Sequence, residues 1–305
     1  MPERGAEEDE VTVRFGEAEL EYPSAQFGEL RDSSNLLGGG DEMRARLDDD
    51  GYLFLRGLLP RDQVLRAQRS ILEYMDERGA LTPGKPVLEG VMPRDAKWVN
   101  LMNPDISHSD AVITVLESPD LFSLFRDLLD DEVRTYAYKW LRAVGNDSFT
   151  GCHYDVVYMG QGSQRVHTVW IPFADIPIYQ GTLAICEGSH RLPGFQRLRE
   201  TYGKIDVDRD RTEGWFNKDP REILDKFGGR WLTTEFRAGD ILTFGLYTLH
   251  ASTTNTTDRY RLSCDVRFQP ASDPVDPRWV NKVPRHTRTD GPVRSMEEAR
   301  AGWRI

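Results

Sequence analysis

The chain has 305 residues, and its 39 lysines and arginines against 50 aspartates and glutamates give a net charge of −11 at pH 7. This balance argues against a nucleic acid or an anionic membrane surface as the main partner, because both are polyanions. The length allows one large domain or two small ones, with a sizeable core in either case.

The N-terminus is acidic where a signal peptide would be basic and then apolar, and no apolar run approaches membrane-spanning length. We therefore expect a soluble, cytoplasmic protein with no membrane partner. The three cysteines, Cys152, Cys186 and Cys264, have a spacing that fits neither a disulfide framework nor a zinc ribbon. They are predicted to be buried in strands as small apolar side chains.

Composition divides the chain into three parts. Residues 1–40 are charged and turn-rich, and they predict a loosely ordered arm. Residues 41–270 carry the periodic segments and are predicted to form one domain. Residues 271–305 are rich in proline, arginine and aspartate without periodicity, and this tail is predicted to lie against the outside of the domain.

The first half of the domain is predicted to be mainly helical. Asp41 is a candidate N-cap for a short helix through Leu47, and residues 52–55 read as a strand. A longer helix begins after Pro60 and ends near Gly79. Its core-facing stripe consists of Val64, Ala67, Ile71, Leu72 and Met75. Residues 81–109 are irregular, and residues 110–116 and 118–129 predict two further helices.

Strand patterns begin at residue 133 and continue through 133–142, a segment around His153, 166–173 and 182–186. Short strands preceded by helices favour a closed or sandwiched β domain with helices on one side. An insertion at 191–235 combines a charge run with Trp215 and Phe216. A charge run is usually a solvated surface, and a lid over a substrate is the alternative interpretation.

A candidate metal site lies in residues 151–155. His153 and Asp155 are two residues apart, a spacing that places both side chains on one face of a strand. The triplet alone is a weak signal, but His250 downstream offers a third ligand. Two histidines and a carboxylate leave the opposite coordination positions open, as in non-haem Fe(II) sites.

The segment after His250 adds a candidate anion site. Residues 251–258 are polar and turn-forming, and residues 259–268 then alternate between polar and apolar side chains. The polar face of this strand carries Arg261, Ser263, Asp265 and Arg267. The planar guanidinium of Arg261 would suit a carboxylate bound beside the metal.

Four segments in this order, residues 51–60, 153–155, 181–191 and 250–261, resemble the phytanoyl-CoA hydroxylase-like branch of the Fe(II)/2-oxoglutarate oxygenases. The resemblance covers about residues 40 to 270. It implies a mainly β fold with flanking helices, the double-stranded β-helix or cupin-like jelly roll. One departure is Glu187, which stands where the family usually has proline, and this puts a local turn in doubt.

The resemblance also implies the site residues. The iron ligands would be His153, Asp155 and His250. Arg261 would bind the distal carboxylate of 2-oxoglutarate with help from Ser252, while Trp170 and Thr168, which share one strand face, would line the same pocket. The cofactors implied are Fe(II), 2-oxoglutarate and O2.

The activity implied is hydroxylation of a small molecule, coupled to conversion of 2-oxoglutarate and O2 to succinate and CO2. Related halogenases have a small residue in place of the carboxylate ligand. Asp155 therefore points to hydroxylation or a desaturation variant. The sequence does not specify the oligomeric state.

Three alternatives stay open at this stage. One is a cupin-like metalloprotein that does not use 2-oxoglutarate and gives Arg261 no role. Another is a binding or regulatory protein with a degenerate site, which is disfavoured because every ligand position is filled. The third is an oxygenase that modifies proteins.

The remaining polar and aromatic residues give weaker indications. His167 faces away from Trp170 and is expected to be structural, as is His190, while His108 and His286 are uninformative. Five side chains are candidates for a substrate pocket, with ordinary packing as the alternative for each: Arg142, Tyr154, Tyr158, Trp215 and Tyr247. They weakly favour a small polar or anionic metabolite.

Overall fold

The computed structural model describes residues 10–96, 98–285 and 291–305, so His286 lies outside the described residues. The strands are β1 Val11–Phe15, β2 Ala18–Tyr22, β3 Phe27–Glu29, β4 Tyr52–Leu55, β5 Val133–Thr135, β6 Trp140–Val144, β7 His167–Pro172, β8 Leu183–Cys186, β9 Trp231–Thr233, β10 Ile241–Gly245, β11 His250–Ser252 and β12 Arg261–Pro270. The α-helices are α1 Gly40–Asp50, α2 Arg61–Asp76, α3 Pro104–Ser107, α4 Asp110–Leu116, α5 Pro119–Leu129, α6 Val156–Met159, α7 Gln196–Glu200, α8 Pro220–Phe227 and α9 Met296–Trp303.

Two sheets form the centre of the molecule. The larger sheet has the order β4-β10-β7-β12, and the far edge of β12 is shared by β6 and β5. Strand β6 pairs with the first half of β12 and β5 with its end. The smaller sheet has the order β11-β8-β9-β3, and β1 and β2 form a separate hairpin.

The apolar layer between the two sheets comes from side chains on their facing sides. Phe54, Trp170 and Phe244 of the larger sheet share this cluster with Ile185 and Leu232 of the smaller one. Because side chains alternate along a strand, the next residues of β4, β7 and β10 face outward.

Helices cover the outer face of the larger sheet. The predicted stripe on α2 is confirmed, since its five members are all buried there with residues of α4 and α5. Leu262, Cys264, Val266 and Phe268 of β12 join this cluster, as the alternation predicts. The polar face of β12 is therefore directed to the space between the sheets, where a ligand site can form.

The N-terminal region differs from the predicted loosely ordered arm. Residues 10–40 contain three strands, and β3 extends the smaller sheet by pairing parallel to β9. Val13, Phe15, Leu20 and Tyr22 are buried in the core cluster on the outer side of the smaller sheet. The apolar residues of β1 and β2 recur with period two in the sequence, but the charged residues between them favour the prediction of a loosely ordered arm.

The insertion at 191–235 is built into the same core cluster. Phe195, Leu198, Tyr202 and Phe216 are buried in it, and β9 belongs to the smaller sheet. Most of this segment is therefore packed into the fold, and the lid interpretation stays a prediction. Trp215, at 37% exposure, is an exception.

The C-terminal tail docks through a buried ion-pair cluster. Arg278 is almost fully buried and contacts three carboxylates, with 2.7 Å to Asp276, 3.1 Å to Asp206 and 3.2 Å to Asp208. Because Asp206 and Asp208 belong to the insertion, the tail and the insertion are held together. Along the described ranges no helix combines the length and apolarity needed to cross a bilayer.

Two further boundaries differ from the prediction. The strand predicted at 133–142 is split into β5 and β6 by residues 136–139, where Lys139 is buried and its ammonium lies 2.9 Å from the Glu117 carboxylate. Helix α1 continues three residues beyond Leu47 and ends at Asp50, followed by Gly51, whose φ of 86° favours glycine.

Candidate metal centre and co-substrate pocket

His153 and His250 lie directly opposite each other in an isolated antiparallel bridge. The His153 amide donates to the His250 carbonyl at 3.0 Å, and the His250 amide donates to the His153 carbonyl at 3.1 Å. His250 begins β11 and is held on its other side by pairing with Ile185 of β8. Two histidines nearly a hundred residues apart in sequence are thereby fixed side by side, with ring centroids 4.1 Å apart.

Asp155 reaches the site by a different route from the one predicted. The strand predicted around His153 is wrong, since only isolated bridges form at Cys152 and His153. Asp155 instead has helical dihedral angles, φ −68° and ψ −23°, and immediately precedes α6. A turn, and not the period-two alternation of a strand, places its carboxylate beside His153.

The three side chains converge on one point. The Asp155 Oδ1 atom lies 3.7 Å from Nε2 of His153 and 3.8 Å from Nε2 of His250. One ligand atom from each residue falls within 4.8 Å of the others, and all three residues are buried. A metal at ordinary bond lengths needs ligand atoms roughly 3 Å apart, so a small inward movement on binding would suffice.

Backbone carbonyls orient both imidazoles. His153 Nδ1 lies 2.7 Å from the Gly151 carbonyl, and His250 Nδ1 lies 3.0 Å from the Thr248 carbonyl. A carbonyl only accepts hydrogen bonds, so each Nδ1 carries the proton in a neutral ring. Each Nε2 then directs a lone pair toward Asp155, which is the arrangement of metal-binding histidines.

The charge state of the three residues also suits a cation. Burial and the neighbouring His250 lower the pKa of His153 to about 3, and burial likewise lowers the pKa of His250. Burial alone would raise the pKa of Asp155, but Arg267 and the two histidines bring it well below its usual range. Two neutral imidazoles and one carboxylate are therefore present at neutral pH.

The second carboxylate oxygen of Asp155 is held by two residues. Thr168 donates its hydroxyl to Oδ2, and Arg267 Nη2 lies 3.2 Å from the same atom. Both residues are buried. Oδ1 is thus left to the histidines while Oδ2 is fixed, which orients the carboxylate.

Arg267 was not among the predicted site residues. The available signal was its place on the polar face of β12, six residues after Arg261. Its contact with Asp155 depends on the turn before α6, which the sequence pattern did not reveal.

Arg261 is a buried charge without a carboxylate partner in the described part of the chain. It is 2% exposed, donates to the Ser263 hydroxyl, and its guanidinium carbon lies 5.7 Å from the Trp170 ring centroid. Its Nε has no hydrogen-bond partner, and burial lowers the pKa of Arg261 to about 10. A buried guanidinium of this kind is suited to an anionic ligand.

The other residues predicted for the co-substrate pocket have different contacts from those expected. Ser252 Oγ accepts from the Thr150 amide at 2.8 Å, and Ser263 is the serine that contacts Arg261. The Thr168 hydroxyl is directed to Asp155. Trp170 lies on the predicted face, but it is 2% exposed and packs edge-on against Phe236.

The three tyrosines predicted for a substrate pocket differ in burial and in their distance from the metal centre. Tyr154 is fully buried in the core, and its hydroxyl donates to the Ser189 carbonyl at 3.2 Å. Tyr158 lies edge-on to His153 with ring centroids 5.6 Å apart, while Tyr247 is only partly buried. Tyr158 is therefore the tyrosine of this group beside the metal centre.

The remaining histidines have structural contacts. His167 lies beside Phe125 on the outer face of β7, away from Trp170. His190 Nε2 lies 2.8 Å from the Asp48 carbonyl, and His108 Nε2 lies 2.8 Å from the Ala137 carbonyl. All three cysteines are free and buried. The side chain of Cys152 lies in the core cluster on the outer side of the smaller sheet.

The turn placed in doubt by Glu187 is formed. Glu187 pairs with Arg230 at 2.7 Å, and the Ser189 amide donates to the Cys186 carbonyl at 3.2 Å. Ser189 in turn accepts from the Leu249 amide at 2.8 Å, so this turn supports the residue before His250.

Comparison with known proteins agrees with this geometry. Residues 47–263 match the family model described as phytanoyl-CoA dioxygenase (PhyH). The chain is 25% identical over 262 residues to a 1-deoxypentalenic acid 11-beta-hydroxylase of Streptomyces arenae, covering 81% of this chain and 87% of that protein. It is 26% identical over 257 residues to the enzyme of the same name from Streptomyces exfoliatus, covering 79% and 85%.

Solved structures share the fold. EctD from S. alaskensis, with 2-oxoglutarate and 5-hydroxyectoine, superposes with a TM-score of 0.55 at 16% identity and covers 94% of this chain and 97% of its own. The epimerase SnoN, in complex with Fe3+, alpha ketoglutarate and nogalamycin RO, gives 0.52 at 21% identity, covering 78% and 86%. The predicted double-stranded β-helix with flanking helices is confirmed.

Proposed function

The chain belongs to the phytanoyl-CoA dioxygenase family, and from that premise we propose the residues with which it works. It is an Fe(II)/2-oxoglutarate-dependent hydroxylase. We propose that His153, Asp155 and His250 hold the iron and that Arg261 holds 2-oxoglutarate. The convergence of Asp155 Oδ1 with two Nε2 atoms is the observation that carries this assignment.

The donor set supports iron in particular. Two imidazole nitrogens and one carboxylate oxygen on one side leave the opposite positions open. When bound, the metal supplies the oxidative chemistry by which 2-oxoglutarate and O2 become succinate and CO2 while a substrate C–H bond is hydroxylated. The protein contributes positioning: His153 and His250 keep the correct tautomers, and Thr168 and Arg267 hold Asp155.

The buried charge of Arg261 supports the co-substrate assignment. A dicarboxylate with one end at the metal centre would bring its other end to a guanidinium in a site largely shielded from water, where the attraction is stronger than in bulk solvent. Ser263 fixes one guanidinium nitrogen, and Nε has no protein partner in the described residues.

The alternative, a cupin-like metalloprotein that does not use 2-oxoglutarate, gives no reason for a buried arginine without a carboxylate. Burying such a charge costs free energy unless a ligand compensates it. Arg261 therefore favours the oxygenase.

The substrate is proposed to be a small organic molecule. The related hydroxylases are named for 1-deoxypentalenic acid, which is a molecule of that size. Tyr158 lies edge-on to His153, and the half-buried Trp215 lines a cleft that reaches Thr150, close to His153 in sequence.

A titration without oxygen tests the assignment. Fe(II) and then 2-oxoglutarate are added to the apo-protein, and the weak visible charge-transfer band of an iron-chelated keto acid is followed. We expect the band with the wild type and its loss in Asp155→Ala. The control Asp175→Ala removes a surface carboxylate that pairs with Arg61 and should leave the band unchanged. Iron binding without the band in the wild type would favour the alternative.

A further inference from the structure

A cleft of about 650 Å³ lies next to the metal centre. Its walls are mostly apolar and include Met102, Val144, Phe149 and Tyr260. It reaches Thr150, the neighbour of Gly151, whose carbonyl orients His153. A molecule in this cleft would therefore lie beside the wall of the metal centre, as a substrate must.

Two tryptophans that line the cleft are unusually exposed. Trp98 is 81% exposed and Trp215 is 37% exposed, although both are large apolar side chains. Trp215 stacks on Phe149 with centroids 6.1 Å apart and an interplanar angle of 30°. Exposed aromatic surface grouped around a concavity is typical of a binding site for an apolar ligand.

The charges in the cleft are opposite to those of the chain as a whole. The protein carries a net charge of −11, yet the charged side chains that line the cleft in the described residues are Arg94 and Arg142. Within the described residues, the charged side chains of this cleft are all arginines, and such a cleft in an acidic protein favours an anionic ligand.

Arg142 is oriented by an acidic residue that does not line the cleft. Its Nε donates to Asp265 Oδ2 at 3.1 Å, and the Asp265 side chain is 14% exposed. The Arg142 side chain is 41% exposed, and its two terminal nitrogens have no hydrogen-bond partner in the described part of the chain. The Arg142 guanidinium is thus held by Asp265 at Nε, while its terminal nitrogens are available to a ligand in the cleft.

The position of Arg142 relative to Arg261 separates their roles. Arg142 on β6 pairs in register with Ser263 of β12, and Ser263 contacts Arg261. Arg261 is buried, while Arg142 faces the cleft. The buried Arg261 guanidinium therefore suits a buried anionic co-substrate. The exposed Arg142 guanidinium suits a second anion that enters from the cleft.

We propose that Arg142 binds the carboxylate of an otherwise apolar small-molecule substrate in this cleft. This inference rests on the proposed function, because it names the substrate class of the proposed hydroxylase site. A carboxylate matches the fork geometry of a guanidinium, and a single carboxylate is the charge that one half-compensated arginine can balance.

The experiment uses the complex with Fe(II) and 2-oxoglutarate without oxygen. Two probes with the same apolar cage are compared, 1-adamantanecarboxylate and 1-adamantanemethanol, and binding is followed by the change in tryptophan fluorescence. We expect the carboxylate to bind about 10- to 100-fold more tightly than the alcohol to the wild type, as for a hydrogen bond to a charged group. Arg142→Gln should abolish this preference, and Arg134→Gln, an exposed arginine on β5, should retain it.

Each other outcome overturns the inference. Equal binding of the two probes, or no binding of either at millimolar concentration, would show that the cleft does not select a carboxylate. A preference that survives in Arg142→Gln would assign it to another residue. If Arg142→Gln weakened 2-oxoglutarate binding as much as loss of Arg261 does, Arg142 would belong to the co-substrate site and the proposed function would stand. Absence of the keto-acid band in the wild type would instead contradict the proposed function itself.

Discussion

Replacing Arg261 with methionine should stabilise the apo-protein while it disables the enzyme. Burial lowers the pKa of Arg261 from 12.5 to about 10. At about 1.4 kcal/mol per pH unit, this shift corresponds to about 3 kcal/mol against keeping the charge in the folded state. The guanidinium is protonated in both the folded and the unfolded chain at pH 7, so this cost is fully present there.

The gain is reduced by what Arg261→Met removes. The hydrogen bond to Ser263 and the contact with Trp170 are each worth about 1 kcal/mol. We therefore expect the free energy of unfolding of the apo-protein to rise by about 1 kcal/mol. Binding of 2-oxoglutarate should weaken by about 2–4 kcal/mol, or roughly 30- to 1000-fold, because a shielded carboxylate loses its cation.

Urea unfolding of the apo-protein measures the first quantity, and anaerobic titration of the Fe(II) form with 2-oxoglutarate measures the second. Arg259→Met is the control, since Arg259 lies two residues earlier and is half-exposed beside Glu89. It should change the free energy of unfolding by less than about 1 kcal/mol, as for a surface pair. A larger effect of Arg259→Met on 2-oxoglutarate binding would refute the assignment of Arg261. A loss of more than 1 kcal/mol of apo-protein stability in Arg261→Met would refute the argument from buried charge.

Three further changes follow from buried contacts. Thr168→Val removes the hydroxyl that orients Asp155, so Fe(II) affinity measured by calorimetry should fall about tenfold; an unchanged affinity would mean that Thr168 does not position the ligand. Burial lowers the pKa of His167 to about 4 in the folded protein, whereas the pKa is about 6.5 in the unfolded chain. The free energy of unfolding should therefore fall by up to about 3 kcal/mol as the pH is lowered from 6.5 to 4. His167→Phe should reduce this loss in urea unfolding at pH 7 and 4.5, and an identical loss in wild type and variant would contradict the prediction. Glu117→Leu leaves the buried Lys139 ammonium without its carboxylate and should cost about 1–3 kcal/mol in thermal unfolding, whereas a neutral result would show that solvent compensates the charge.

Periodicity was sufficient for the regular parts of the fold. The stripe on α2 and the alternation of β12 were predicted correctly because each sorts apolar side chains onto one face over many residues. Strand β3 was not predicted, since it is only three residues long and is stabilised by pairing with β9, about two hundred residues away. Such a long-range contact leaves almost no local pattern.

The site was predictable only in part, for a similar reason. The spacing of His153, Asp155 and His250 suggested a metal centre, although the local structure of Asp155 is a turn before a helix. The contacts of Thr168 and Arg267 with Asp155 depend on how α6 meets β7 and β12. The open fork of Arg142 depends on Asp265 of a neighbouring strand, which no spacing along the chain encodes.

The most direct measurement is a crystal structure of the protein with 2-oxoglutarate and Mn(II), a redox-stable substitute for Fe(II), with the metal located by anomalous scattering. We predict a metal about 2.2 Å from His153 Nε2, Asp155 Oδ1 and His250 Nε2, with a 2-oxoglutarate carboxylate on Arg261. A metal bound elsewhere, or 2-oxoglutarate held by Arg142 with Arg261 uncontacted, would contradict the account.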